Sequence, residues 1–353
     1  MNNLNQNEDA EKVKKEIMTE SDKYDITVRV LIAIKYFLTK KLEQPYNKFY
    51  IGRKMEVTEN RSCKPDFCAE REGSPAIIGD IKSGLPQEKK FALNQLFDQI
   101  EKFDNVTKGW ELTTTQKDIF IFIPDTHRIK INNLLKEVSI GDKTFKGVMK
   151  DYDSNKTLKI TSSLCFWSYA IEEDNNNPFF NLALEFGKST NQFITEHAKE
   201  NIIIEFSHIL EELNNFKFYD ADPPELYLLT NLWTVVLQLS QENQFIENNI
   251  KGKKTITIET SIDQILNKAK SLFITTLDED RNTIAIRKNL VKKFVNILKK
   301  LKLAQDGENE IIKISYSKMS GNIQEFFLDK LIKIKLSENA NQYNSLNKFI
   351  PNN

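Results

Sequence analysis

The chain has few cysteines, and their number and spacing exclude several classes of protein. Cys63, Cys68 and Cys165 are the three cysteines of 353 residues, and no two of them form a Cys-x-x-Cys pair. An odd count without paired spacing argues against a disulfide scaffold, a zinc site and a four-cysteine cluster. We expect all three to be reduced residues that pack in the interior.

Long apolar runs are lacking as well, and so are two common catalytic motifs. No window approaches the ~20 apolar residues that a membrane-spanning helix needs. The N-terminal segment MNNLNQNEDAEKVKKEIMTE is polar and charged, without the apolar part of a secretory signal. A Gly-rich phosphate loop and a Gly-x-Ser-x-Gly motif are also missing, so an NTPase or an esterase has no support. The sequence predicts a cytoplasmic protein without a membrane partner.

The chain has no excess charge of either sign, but its charges are distributed unevenly. Lys and Arg together number 50, as do Asp and Glu. Residues 161–250 carry 3 basic against 14 acidic side chains, whereas residues 251–353 carry 19 against 11. A net charge of zero, taken alone, argues against a nucleic-acid partner. The contrast between an acidic middle and a basic end indicates separate modules.

The first half of the chain has the pattern of an α/β domain. Helical spacing of apolar residues over 25–42 is followed by three short strand patterns, a helix that ends near residue 105, and the apolar segment DIFIFIPDT. That order predicts a mixed central sheet flanked by helices over residues 22–170. A polar leader, residues 1–21, is expected to precede this domain.

The second half, residues 171–353, is expected to be mainly helical. Amphipathic patterns cover residues 200–216, 223–241 and 260–273, and a basic helix follows them before the strand pattern NEIIKISYSK. Three helices followed by a β element is the order of a winged-helix domain, which would lie within residues 224–320. A helical core whose polar face happens to use lysine is the alternative.

Two aspartates occupy positions that a buried strand would not favour. Asp66 and Asp80 each stand in a short apolar segment, and Lys82 follows the second of them by two residues. Residues two apart on a strand share a face, so Asp80 and Lys82 are expected to point the same way. If the two strands pair, both carboxylates converge, and together with the Ile81 carbonyl and waters they suit Mg²⁺. An ion pair at the end of a solvated hairpin is the alternative explanation.

These two segments resemble a known family. KPDF and GDIKSG look like the paired motifs of the PD-(D/E)XK nuclease superfamily, and NQLFDQI in the next helix is similar to its RecB-type branch. The resemblance implies a restriction-endonuclease-like core in which Asp66 and Asp80 bind Mg²⁺, with Mn²⁺ as a substitute. It implies that Lys82 is the catalytic lysine and that Gln95 supports the site or touches the backbone of the scissile strand. It covers about residues 25–130 and carries no information on the rest.

The sequence departs from the RecB-type branch at two positions. Gln99 stands where that branch usually has Tyr. An additional upstream acid or His, which some members carry, has no clear match in this chain. Glu43 and Glu56 are the two candidates for that third ligand.

The basic helix is the candidate nucleic-acid surface. Its apolar residues alternate with a set of cationic ones, namely Arg287, Lys288, Lys292, Lys293, Lys299 and Lys300. Such a cationic face can bind phosphates with an affinity that depends on salt. An ordinary solvated helix face is the first alternative. A helix on a membrane surface is the second, although aromatic anchors are scarce.

The resemblance and the basic helix together predict a metal-dependent nuclease. We expect a DNA endonuclease of restriction or defence type, with double-stranded DNA as its partner and a C-terminal domain that recognises or positions the DNA. A homodimer would allow both strands to be cut. The alternative is a catalytically inactive protein that keeps the nuclease fold to bind nucleic acid or protein.

Overall fold

The computed structural model divides the chain into two compact units. One unit comprises residues 26–219, and the other comprises residues 2–25, 220–273 and 286–346. The structure describes residues 2–58, 61–85, 89–112, 116–137, 139–141, 144–146, 158–174, 177–220, 222–242, 246–250, 253–273, 286–317 and 322–346. Helix α1, Asn2–Tyr36, contributes residues to both units and continues as one π-helical turn, Phe37–Lys41.

The unit of residues 26–219 is built on a seven-stranded mixed sheet with the order β1-β4-β5-β6-β10-β11-β12. The strands of the whole unit, including those outside the seven-stranded sheet, are β1 (Lys48–Ile51), β2 (Met55–Thr58), β3 (Arg61–Cys63), β4 (Phe67–Glu70), β5 (Ala76–Ile81), β6 (Lys117–Pro124), β7 (Ser139–Gly141), β8 (Thr144–Lys146), β9 (Leu158–Lys159), β10 (Ser163–Asp174), β11 (Asn177–Gly187) and β12 (Ile202–Glu205). Its other helices are α2 (Lys89–Asp104), α3 (Arg128–Glu137), α4 (Gln192–His197) and α5 (Leu210–Phe216). The predicted α/β class is confirmed.

Because of the directions of the strands, the ends of several of them lie at one edge of this sheet. β4 runs antiparallel to β5, whereas β5, β6 and β10 run parallel to one another. The carboxyl ends of parallel strands lie at the same edge of a sheet, and ligands of open α/β sheets bind outside those ends. The residues that follow β5 and β6 therefore share an edge with the last residues of β10.

Apolar side chains cover both faces of the central strands. All six residues of β5 are buried, as are the six central residues of β6, which is the pattern of strands covered on both sides. One face packs Ile78, Ile121 and Phe166 against the helix α2, whose Leu96 and Ile100 face inward. α2 forms because its apolar residues recur at helical spacing, and it places the polar residues beside that stripe next to the sheet.

A glycine lets the β4–β5 hairpin close tightly. Gly79 pairs directly with Phe67, and a Cβ atom built on Gly79 would lie 2.1 Å from the Phe67 ring. The ring is fully buried and stacks on Phe49 with centroids 5.5 Å apart. Because only hydrogen fits under this ring, Gly79 fixes the register of the hairpin. Asp66 precedes Phe67 and Asp80 follows Gly79, so the same pairing brings the two aspartates together.

Three other buried acids hold loops of this unit in place. Glu70 accepts hydrogen bonds from the backbone N–H groups of residues 111 and 112, at 2.9 and 2.7 Å. Asp104, the last residue of α2, accepts from the N–H groups of residues 161 and 162. Asp118 accepts from the hydroxyl groups of Ser189 and Thr190, both at 2.6 Å. Buried carboxylates satisfied in this way have a structural role.

The structure differs from the expected layout at three places. Residues 200–216 are not one helix, because Ile202–Glu205 pair with β11 as strand β12 and only Leu210–Phe216 are α-helical. The sheet continues through β10, β11 and β12, so this unit extends beyond the expected end at residue 170. The expected polar leader lies within α1, where Val13 and Ile17 are buried.

The second unit combines helices with a four-stranded antiparallel sheet in the order β13-β14-β16-β15. Its core centres on Trp233, which contacts the rings of Tyr316 and Phe327. None of the helices within the described ranges is both long and apolar enough to cross a membrane. The elements are α6 (Glu225–Glu242), β13 (Ile246–Ile250), β14 (Lys253–Thr260), α7 (Ile262–Phe273), α8 (Lys288–Lys300), β15 (Ala304–Asp306), β16 (Ile312–Ser317) and α9 (Ile323–Leu346).

Candidate active site

Asp66 and Asp80 lie side by side at the edge where the parallel strands end. The pairing of Phe67 with Gly79 aligns them, and the N–H group of Ile81 donates a 2.7 Å hydrogen bond to Asp66 Oδ2. The charge of Asp80 contributes to the raised pKa of Asp66, so the two carboxyl groups lie close together. The convergence that depended on strand pairing is therefore present in the structure.

Lys82 follows β5 immediately, and its main chain is fixed on two sides. Its N–H group donates to the carbonyl of Phe122 at 2.8 Å, and its own carbonyl accepts from the hydroxyl group of Tyr169 at 3.0 Å. Its ammonium nitrogen lies 2.7 Å from Asp80 Oδ2. The period of the strand explains this contact, because residues 80 and 82 share a face.

Gln99 connects the acid and the base through its amide group. Its Nε2 atom donates to Asp80 Oδ1 at 2.6 Å, and its Oε1 atom accepts from the ammonium group of Lys82. A carboxylate can only accept and an ammonium can only donate, so the orientation of the amide follows from its two partners. The helix α2 thus closes a ring of three side chains over the end of β5.

The pKa of Asp66 is raised well above its ordinary value. Burial of the carboxyl group is the largest cause, and the negative charge of Asp80 adds to it. The hydrogen bond from Ile81 and the positive charge of Lys82 oppose the rise. One ammonium group faces two carboxylates, so the site carries an uncompensated negative charge, which a cation would neutralise.

The donor set of the site fits a hard divalent cation that keeps several waters. Asp80 Oδ2 is buried and accepts no hydrogen bond, although the Lys82 ammonium group pairs with it electrostatically. Two carboxylates at the end of a strand, with a nearby carbonyl such as that of Ile81, are the kind of oxygen ligands that Mg²⁺ takes. Within the described residues no three His, Cys, Asp or Glu side chains are grouped as a metal site. Among the described residues, only the two carboxylates of Asp66 and Asp80 would be acidic ligands of a cation at this site.

Neither candidate for a third acid is placed as a ligand by a described contact. Glu43 is exposed after the π-helical turn. Glu56 lies on β2 and forms an ion pair with Lys108 at 3.8 Å. Both are explained by solvation at the surface.

Gln95 lies on the same face of α2 as Gln99, one turn earlier. It is exposed, whereas Gln99 is half-buried and holds the two charged groups. Positions four residues apart are neighbours on a helix surface. Gln95 is thus placed beside the site but open to solvent, where a contact with substrate remains a prediction.

His127 and Arg128 follow the neighbouring strand β6. His127 lies against the turn after Lys82, because its Nε2 atom is 3.3 Å from the position that a Cβ of Gly84 would take. Arg128 begins α3, is half-exposed, and lies 3.5 Å from Asp125 and 4.0 Å from Glu185. They line the same sheet edge as the carboxylates.

The lysines of α8 are largely paired with acids of their own unit. Lys288 lies 2.7 Å from Asp263, Lys299 lies 2.6 Å from Asp306, and Lys300 lies 3.8 Å from Glu338; Lys293 pairs with Asp222. Arg287 and Lys292 are exposed and have no ion pair among the described residues. Exposed pairs of this kind contribute little to stability, but they reduce the positive charge offered to a partner.

Comparison with known proteins adds no relative to this description. No family model matches the chain, and neither a curated protein nor a solved structure is significantly similar to it. The interpretation of the site therefore depends on its geometry and on the resemblance of its short motifs.

Sequence reasoning missed two residues that position the site. Gln99 was noted only as a departure from a motif, and Tyr169 was not singled out at all. Gln99 could have been found from its position beside the apolar stripe of α2, four residues after Gln95. Tyr169 gave no local signal, because it reaches Lys82 from β10, two strands away in the sheet.

Proposed function

We propose that this protein is a Mg²⁺-dependent nuclease that hydrolyses phosphodiester bonds, foremost a DNA endonuclease of restriction or defence type. One observation carries the proposal: Asp66, Asp80 and Lys82 converge at the carboxyl end of β5, with the lysine 2.7 Å from Asp80. The order α1, β1, β4, β5, α2, β6 around this site supports the restriction-endonuclease-like core that the motif resemblance implies.

Each residue of the site has a distinct part in this proposal. Asp66 and Asp80 would hold the cation, with the carbonyl of Ile81 as a further oxygen ligand. A bound Mg²⁺ would act as a Lewis acid on a phosphoryl oxygen and lower the pKa of a water molecule. Lys82 supplies positive charge where the phosphate gains negative charge as the water oxygen bonds to phosphorus and the ester oxygen leaves. Gln99 and Tyr169 keep Lys82 in place.

The second unit is proposed to position the DNA. Its helices α6, α7 and α8, with β14 before α7 and the β15–β16 hairpin after α8, support a winged-helix assignment. In that assignment α8 takes the place of the recognition helix. Because most of its lysines are ion-paired, Arg287 and Lys292 are the cations that we assign to phosphate contacts.

The test compares the wild-type protein with two site variants on DNA. Supercoiled plasmid and linear double-stranded DNA are incubated with the full chain in Mg²⁺, in Mn²⁺ or in EDTA, and products are resolved on a gel. We expect cleavage that requires metal and falls at least about 100-fold in Asp80→Asn and Lys82→Ala. Nicked or linear plasmid would indicate an endonuclease, and products from linear DNA alone an exonuclease. Metal-dependent cleavage that survives in both variants would refute the assigned site.

One observation favours the alternative of a catalytically inactive binding protein. The ring of Asp80, Lys82 and Gln99 satisfies its own polar groups without a metal, as a structural ion pair would. DNA binding without any cleavage, unchanged in Asp80→Asn and Lys82→Ala, would establish that alternative.

A further inference from the structure

The amide group of Gln99 occupies one oxygen of the central carboxylate. Its Nε2 atom lies 2.6 Å from Asp80 Oδ1, and the ammonium group of Lys82 lies 2.7 Å from the buried Asp80 Oδ2. Asp66 is engaged in a similar way, since its Oδ2 atom accepts from Ile81 N–H at 2.7 Å. Each carboxylate therefore has one oxygen held by a neutral N–H donor, and the other oxygen of Asp80 faces the ammonium group of Lys82, which a cation can replace.

A site that binds two cations needs carboxylate oxygens that can bridge the two metal ions. The cations of such sites stand about 3.5–4 Å apart and share bridging ligands. A carboxylate that bridges two cations uses both of its oxygens, and a cation at Asp80 Oδ1 would compete with the hydrogen bond from Gln99. The described part of the chain also groups no third acid here.

Charge leads to the same conclusion. With both carboxyl groups ionised, as metal binding requires, they and the Lys82 ammonium group carry a net single negative charge. One divalent cation reverses it to a single positive charge, which a phosphodiester neutralises. A second divalent cation would leave an excess of positive charge with no acid to balance it.

We propose that Gln99 is a positioning residue that restricts this site to one divalent cation. The inference rests on the proposed function, because it assumes that Asp66 and Asp80 bind the metal. In this proposal the two acids bind the metal, and the glutamine determines how many metal ions the site holds.

The test counts bound Mn²⁺ without DNA, so that its readout is independent of cleavage. The full chain is titrated with Mn²⁺, and free ion is measured from its electron paramagnetic resonance signal. We expect one Mn²⁺ per wild-type chain and two per chain in Gln99→Glu. That variant keeps an acceptor for Lys82, adds a third carboxylate and releases Asp80 Oδ1. Gln95→Glu adds the same charge one exposed turn earlier and should still bind one ion.

The wild-type count tests the proposal even if Gln99→Glu fails to fold. Two ions in the wild type with spin coupling between them would overturn the role of Gln99 and leave the proposed nuclease standing. One ion in a folded Gln99→Glu protein would also overturn it. No bound ion in the wild type, together with no metal-dependent cleavage, would instead remove the proposed metal site itself.

Discussion

Asp66 is the residue at which stability and the proposed activity oppose each other. Its carboxyl group is buried beside another carboxylate, and its pKa is raised for that reason. A buried like-charge pair costs free energy unless a cation compensates it. The two charges thus destabilise the fold when no metal is bound. They contribute to the proposed activity only when a cation is bound.

Asp66→Asn should separate these effects. Without metal the variant should be more stable than the wild type, because the amide oxygen can still accept from Ile81 N–H while the charge is gone. Thermal unfolding in EDTA measures this gain. Adding Mg²⁺ should raise the melting temperature of the wild type and leave that of Asp66→Asn unchanged. Asp98→Asn, an exposed position on α2, is the matched control and should follow the wild type in both conditions.

The pH dependence of this difference has a definite sign. A raised pKa means that the folded protein binds the proton of Asp66 more tightly than the unfolded chain, whose aspartates titrate near about 4. The wild type therefore loses stability as the pH rises from that value through the raised pKa, by at most about 1.4 kcal/mol per pH unit. In EDTA the advantage of Asp66→Asn over the wild type should grow across this window. An advantage that is constant with pH would contradict the assigned cause.

At the scale of elements, the β4–β5 hairpin aligns the site through the contact of Phe67 with Gly79. Gly79→Ala should destabilise the protein by about 1–3 kcal/mol, the cost of overpacking a tight core. It should also reduce Mg²⁺ binding, because the strands that carry the aspartates must shift. Chemical denaturation measures the first effect and Mg²⁺-dependent thermal shift the second.

A second substitution tests whether the ring is the cause. Phe67→Leu makes room beneath the ring position, so Gly79→Ala should cost less in the Phe67→Leu background than alone. Strict additivity of the two free energies would show that something other than this contact limits residue 79.

Much of the α/β unit could be predicted because local pattern and final structure agree there. The first helix, β1, β4, β5, α2 and β6 follow periods that can be read in the sequence, and Asp80 and Lys82 share a face by strand periodicity alone. The expected three strands are five in the structure, because β2 and β3 form a separate two-stranded sheet. β12 could not be predicted in the same way. Its three consecutive isoleucines fit a short strand or a helix, and the pairing with β11 decides between them. Gln99 depended on the tertiary distance between α2 and β5, which no local pattern contains.

At the scale of the whole molecule, the charge contrast along the chain does not translate directly into a cationic surface. Lys293 of α8 pairs with Asp222 of the acidic segment, whereas Lys288 and Lys299 pair with Asp263 and Asp306 of their own basic segment. Counting charges by segment could not foresee these pairs, because they depend on how the elements pack and not on the total charge of a segment. The net charge of a segment therefore overstates what a partner meets.

The DNA affinity of the full chain should depend on Arg287 and Lys292, the two cations of α8 and its N-cap that form no ion pair within the described ranges. Replacing Arg287 and Lys292 by Gln should reduce the slope of log affinity against log salt by about 0.9 for each lost phosphate contact. Replacing Lys299 and Lys300 by Gln is the control, and should change the slope less because Asp306 and Glu338 already offset these charges. Fluorescence anisotropy on duplex DNA in EDTA measures both slopes. If the slope changes equally in the two variants, or in neither, α8 is an ordinary solvated helix and not a DNA-binding surface.

The contact of Lys82 with Asp80 also bears on how the protein is handled and stored. The lysine is a counter-ion to Asp80, so we expect the fold to persist without metal, in contrast to small domains that unfold when a chelator removes their zinc. Magnesium would then enter by exchange with an ammonium group rather than by filling an empty hole. If the chain is the proposed nuclease, it should remain folded but inactive when purified in chelator, and it should become active when Mg²⁺ is added.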